Sequence, residues 1–145
     1  MILKQVLDKK THHGLKENVN LSNYSWFNLG GKADYFFRAE DKNQLINFLK
    51  EAKKNNLSIT IVGAGSNTLF RDNGVRGAVI KLGKSFSYTE LIGTDIINVG
   101  SATLDRKIAD FAKNNNLGNL EFLSCIPGSI GGGIIMNSGC YENDI

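Results

Sequence analysis

Proline is nearly missing from this chain: Pro127 is the single one among 145 residues, and it stands inside an apolar, glycine-rich run. Low-complexity tracts and internal repeats are missing too, and the 41% apolar and 21% charged residues match a globular chain, which excludes a disordered tail protein. Cysteine is scarce. Cys125 and Cys140 have no metal-type spacing to His12 or His13, so no metal site is expected, and with no partner base nearby they read as buried, reduced thiols. The two histidines fall in the polar stretch Thr11 to Asn20, which reads as irregular and solvent-exposed, and they are assigned no function. Long apolar runs are absent: Met1 to Lys10 is too short for a signal peptide, and no later segment is long enough to span a membrane. A net charge of +3, with lysines scattered apart from Lys9-Lys10 and Lys53-Lys54, argues against nucleic acid. The reading is a cytoplasmic protein without membrane or nucleic-acid partners.

Two familiar phosphate-binding signatures are also lacking. A dinucleotide fingerprint needs three spaced glycines opening a helix, and Gly63-Ala64-Gly65 runs into Ser66, Asn67 and the apolar Thr68-Leu69-Phe70. A Walker loop needs a terminal Gly-Lys-Ser/Thr, which occurs nowhere.

What is present is glycine in two places. Ile126 to Gly139 joins Pro127 to Gly128, Gly131, Gly132, Gly133 and Gly139, with Ser129 and Asn137 adding a hydroxyl and an amide. Such a cluster costs backbone entropy, so it marks either a tight packing contact or a close approach to a ligand. The second motif, Gly63 to Asn67, follows the apolar strand Ile59 to Val62 and offers consecutive N–H donors of the kind that cradle an anion. A phosphate-bearing cofactor is the natural guest of both, and a plain chain reversal is the alternative.

The order of elements supports that placement. A short amphipathic helix is read over residues 2 to 9, and Trp26 and Phe27 are read as core before Gly30-Gly31. Ala33 to Arg38 reads as a strand. Asp41 and Gln44 cap a helix with Leu45, Ile46, Phe48, Leu49 and Ala52 on one face, and Ile59 to Val62 is the next strand. This βαβ order predicts a parallel pair with the Gly63 turn at its carboxyl end, where open α/β sheets bind ligands. Further on, Gly77 to Ile80 resumes a strand, and Gly93-Thr94-Asp95 joins two strands as a hairpin. Thr103 is expected to cap a helix through Leu104, Ile108, Phe111 and Ala112. The fold class is α+β, α/β-like, in two lobes with the ligand between them: residues 1–20 as helix and irregular segment, lobe 1 about 21–77 with the parallel βαβ unit, and lobe 2 about 78–145, mainly antiparallel.

Three stretches together, Ser25 to Asp34, Gly63 to Asn67, and Ile126 to Gly132 with Met136 to Gly139, resemble the ordered motifs of the UDP-N-acetylenolpyruvoylglucosamine reductase (UDP-N-acetylmuramate dehydrogenase) family. The resemblance runs over roughly residues 20 to 145. It implies an FAD-binding domain of the vanillyl-alcohol-oxidase (PCMH) type with noncovalent FAD, and NADPH as hydride donor to a UDP-sugar in peptidoglycan synthesis. Carried over residue by residue, Gly63, Ala64, Gly65, Ser66 and Asn67 would meet the FAD pyrophosphate, and Thr68 and Leu69 would continue that wall. Pro127, Gly128, Ser129, Gly131 and Gly132 would line the flavin and its phosphates, with Asn137 and Gly139 completing the pocket. Glu142 departs from the family, which usually has glycine after Tyr141, so a different local turn is expected there. The family's catalytic arginine, serine and glutamate would lie beyond Ile145, in a substrate-binding lobe, so no catalytic side chain is assigned here. An exposed apolar face along Gly128 to Ile135, and self-association, are expected of a chain lacking that lobe. Another flavin oxidoreductase of the same fold, or a phosphate-ligand binding module without catalysis, are the alternatives.

Overall fold

The structure, a computed structural model, describes Leu7 and residues 12–145. Apart from Leu7, the expected helix over residues 2 to 9 lies outside the described residues. The chain forms two compact units: one runs to Val62 and resumes over Thr68–Gly83, and the other takes Gly63–Asn67 together with Lys84–Ile145.

The first unit is a four-stranded sheet carrying one helix. In chain order it has β1 (Leu15–Asn20), β2 (Lys32–Ala39), α1 (Lys42–Lys54), β3 (Ile59–Val62) and β4 (Val75–Leu82). The sheet order is β1-β2-β4-β3, with β1 antiparallel to β2 and the other two pairings parallel. The βαβ expectation is corrected in one respect: β2 and β3 are parallel but not neighbours, because β4 lies between them. Burial explains the order. Gly77, Ala78, Val79 and Ile80 are all buried, as a strand covered on both faces requires, whereas β3 alternates and is exposed at Ile59 and Ile61, as an edge strand can be. Asp34 steadies the irregular start of the β2–β4 pair, accepting from Gly77 N–H at 2.9 Å and pairing with Arg76 at 2.7 Å.

Helix α1 starts as its sequence dictates. Asp41 accepts from the Gln44 N–H at 2.9 Å, and the Gln44 side chain reaches back to the Glu40 N–H at 3.0 Å. Its Phe48 stacks on Phe37 of β2 with ring centroids 4.1 Å apart and planes at 9°. The other face of the sheet buries Leu21, Ala33, Phe36, Val62, Phe70 and Val79 together.

Three expectations for this unit are overturned. The polar stretch before Asn20 is not wholly irregular, since residues 15–20 are β1, an edge strand whose side chains are free to face water. His12 is buried at 4% exposure, its Nε2 2.7 Å from Glu51 and its ring edge-on to Phe37 and Phe48; polarity hid a histidine that packs between aromatics and meets one carboxylate. Trp26 and Phe27 are 62% and 54% exposed, because they sit in the turn after a short 3-10 helix and Leu21 fills the core instead.

The second unit is built from β5 (Thr89–Ile92), β6 (Ile96–Val99), α2 (Asp105–Asn114), α3 (Ile130–Met136), β7 (Gly139–Cys140) and β8 (Asn143–Asp144). Its strand pairs are antiparallel hairpins, the first closed through Gly93-Thr94-Asp95 as expected. Ile108, Ala109 and Leu123 form its core. Thr103 is not the cap of α2: Leu104 holds that position, and the Thr103 hydroxyl donates instead to the Tyr88 carbonyl at 2.9 Å. No helix among the described residues is long and apolar enough to cross a membrane.

Candidate functional site

The two glycine motifs meet inside the second unit. The turn Gly63–Asn67 belongs to it although the flanking residues do not. Gly65 is buried and has φ of +80°, a conformation that side chains with a Cβ rarely adopt. A Cβ placed on Gly63 would stand 2.8 Å from the Ser129 Oγ.

Ser129 is held by a short antiparallel lacing. Asp105 N–H donates to the Gly128 carbonyl at 3.2 Å, Ile130 N–H to the Thr103 carbonyl at 3.0 Å, and Gly131 N–H to the Ser101 carbonyl at 3.0 Å. Leu104 and Ser129 are thereby paired, and α3 departs from Ser129. Ser129 is buried at 5% exposure, yet its hydroxyl makes no capping bond to α3. The hydroxyl faces Gly63 on one side and Gly132 on the other, where an added Cβ would be 3.6 Å away.

The glycines separate by what their missing side chain would strike. At Gly131 a Cβ would lie 2.7 Å from the Ser101 carbonyl, and at Gly139 it would lie 2.7 Å from the Asn143 carbonyl. Both are therefore required by packing. Gly133 faces Ile145 and Gly128 faces the carboxyl of Asp105, 2.6 Å from Oδ2. Gly63, Gly65 and Gly132 remain with Ser66 and Ser129 as a cradle of main-chain and hydroxyl groups without a charged side chain of its own. That donor set suits a pyrophosphate, whose charge is spread over several oxygens and is met by many neutral donors.

The other expected site residues have varied surroundings. Thr68 and Leu69 fall in the first unit, where the Thr68 carbonyl accepts the Ser25 hydroxyl and Leu69 is 61% exposed. Asn137 ends α3 in the left-handed conformation, φ +45°, and its amide donates to Asp144 at 3.1 Å. Ala64 is half-buried in the turn, and Pro127 is exposed just before Gly128. Tyr141 and Glu142 form the two-residue turn that closes the β7–β8 hairpin, both at positive φ, +53° and +63°. The cysteines correct another expectation, since Cys125 is exposed and Cys140 half-buried. The Cys140 thiol is pushed up by burial first and then by Cys125. Asp105 was not singled out by the sequence, because an acid in the first turn of a helix is ordinary there; here it is fully buried.

Ile134, Ile135 and Met136 of α3 are exposed, Ile135 at 83%, as expected of the apolar stretch after Gly128. Among the described residues no group of histidine, cysteine and carboxylate side chains is arranged to hold a metal.

Residues 33–145 match a family described as FAD binding domain. Curated relatives include the UDP-N-acetylenolpyruvoylglucosamine reductase of Pelagibacter ubique, 49% identical over 127 residues, covering 88% of this chain and 42% of the relative. Another is the enzyme of the same name from Orientia tsutsugamushi, 44% identical, covering 93% of this chain and 45% of the relative. Among solved structures, UDP-N-acetylenolpyruvylglucosamine reductase (MurB) from Thermus caldophilus aligns with a TM-score of 0.72 at 30% identity, over 87% of this chain and 43% of that one. The chain thus spans less than half the length of the relatives it matches.

Proposed function

The chain belongs to the FAD binding domain family, and from that premise we propose that it is the FAD-holding part of a reductase that converts UDP-N-acetylenolpyruvoylglucosamine to UDP-N-acetylmuramate in the cytoplasm, with NADPH as the reductant. The observation that carries the reading is the buried Ser129 hydroxyl, left without a capping bond and facing the Gly63 turn. A packing serine would be expected to spend that hydroxyl on its own helix.

The residues fit the cofactor's phosphates. Gly63 and Gly65 let the main chain come close, Ser66 and Ser129 supply hydroxyls, and Gly132 keeps the space beside Ser129 open. The Ser101–Thr103 lacing fixes Ser129 before any ligand arrives, so little ordering is left to oppose binding. FAD supplies the hydride chemistry when bound, and the protein's part is to bind and orient it. Pro127 and Asn137, in the same unit as the cradle, belong to the proposed flavin wall. Protonation and substrate recognition are assigned to no residue of this chain.

The test is NADPH oxidation by the full-length protein with the enolpyruvyl UDP-sugar, alongside flavin analysis of the purified protein. Turnover that needs both the sugar and FAD is expected. A protein that holds FAD but consumes NADPH only with a different acceptor would point to another flavin oxidoreductase of this fold, and one that holds a phosphate ligand but no flavin would point to a binding module.

A further inference from the structure

Asp105 is the buried acid that the proposed function leaves unused. It lies at 0% exposure in the first turn of α2, and neither carboxyl oxygen has a hydrogen-bond partner among the described residues. Acids in this position usually face water and the free N–H groups of the helix start. This one is turned under the glycine segment instead. A Cβ on Gly128 would stand 2.6 Å from its Oδ2, and one on Gly133 would stand 3.9 Å from its Oδ1. The same residue donates its main-chain N–H to the Gly128 carbonyl. Main chain and side chain of Asp105 therefore bear on one residue, the neighbour of Ser129.

We infer that Asp105 is a positioning residue of the cofactor site, a buried acid that sets the Gly128–Gly133 segment through Gly128 and so tunes its affinity for the pyrophosphate of FAD. The inference rests on the reading of that segment as part of the FAD site. Gly128 and Gly133 border the carboxyl, and across Gly133 stand the side chains of Ile145 and Ser138, all uncharged. On its own helix Arg106, Lys107 and Asp110 are exposed, and burial alone pushes the Asp105 carboxyl up, to about 6. In its protonated form the acid costs less to bury beneath the glycine segment than the carboxylate does. Once ionised it needs water or a donor, and the segment must shift to admit one. A bound pyrophosphate carries the same sign of charge, so by linkage each disfavours the other.

The decisive measurement is the FAD affinity of the full-length protein from pH 5 to 8.5, followed by flavin fluorescence for the parent and for Asp105→Asn. If FAD raises the Asp105 pKa by one unit, affinity falls about tenfold as pH rises through its titration. Asp105→Asn, which cannot ionise, should lose that fall and keep the low-pH affinity at high pH. A parent that binds FAD with the same pH profile as Asp105→Asn overturns the assignment while leaving the FAD site intact. A parent that binds no FAD at any pH overturns both. Carboxyl carbon NMR of Asp105 in the parent stands in if the variant does not fold: an upward move of its titration on adding FAD is expected, and no move overturns the inference.

Discussion

Gly63 and Ser129 come from opposite ends of the second unit's sequence and face each other so closely that a methyl group on Gly63 would stand 2.8 Å from the serine oxygen. A serine side chain can turn aside, so Gly63→Ala should fold and act by displacing the hydroxyl from the cradle. Ser129→Ala should weaken FAD binding by roughly 1.5–3 kcal/mol, the worth of a hydrogen bond to a charged group. Because both changes remove the same contact, the double variant should bind about as weakly as Ser129→Ala alone. Full additivity in flavin titrations would show that the two residues act separately.

Stability should fall as pH rises between about 4 and 6, through Asp105. Its carboxyl goes from an ordinary 3.8 in the open chain to about 6 in the folded protein, so the folded state holds the proton more tightly across that window. The penalty is absent below pH 4, grows to about pH 6 and is then constant. A rise of that size corresponds to a penalty on the order of 3 kcal/mol. Asp105→Asn should therefore raise the melting temperature at pH 7.5 and have a much smaller effect at pH 4. An equal effect at both values would contradict the burial argument.

Glu142 occupies a left-handed position, φ +63°, in a two-residue turn that favours glycine. Glu142→Gly should relieve strain of about 1 kcal/mol, offset in part by the greater freedom of glycine in the unfolded chain. Denaturant unfolding that shows a loss of stability would mean the glutamate side chain contributes something the turn does not explain.

The apolar face of α3 gives a prediction for residues 1–145 produced alone. Ile134, Ile135 and Met136 stand exposed in succession, so this chain should self-associate at high concentration. Ile135→Lys should shift sedimentation toward monomer without changing the circular dichroism spectrum. An unchanged distribution would place the association elsewhere.

Much of this was legible in the sequence where one strong local rule acted. The Asp41–Gln44 cap, the Gly93 hairpin and the strand leading to Gly63 each followed from a pattern of a few residues. What was hidden depended on partners distant in sequence. His12 looked like a loop residue until Glu51, Phe37 and Phe48 surrounded it, and Trp26 looked like core until Leu21 took that place. The insertion of β4 between β2 and β3 has its signal in the doubly buried run Gly77 to Ile80, which chain order alone does not reveal. Within the glycine segment, composition could not tell Gly131, held by the Ser101 carbonyl, from Gly132, which borders the Ser129 hydroxyl.

If the Gly63–Asn67 turn holds the phosphates of FAD, Gly65 is where a side chain should abolish binding. It is buried with φ of +80°, so a valine there is strained and crowds the point where main chain and phosphate would meet. Flavin fluorescence titration of the parent and of Gly65→Val, with circular dichroism to establish that the variant is folded, should show saturable FAD binding in the parent and its loss in the variant. A folded Gly65→Val protein that binds FAD as tightly as the parent would show that the turn does not hold the phosphates.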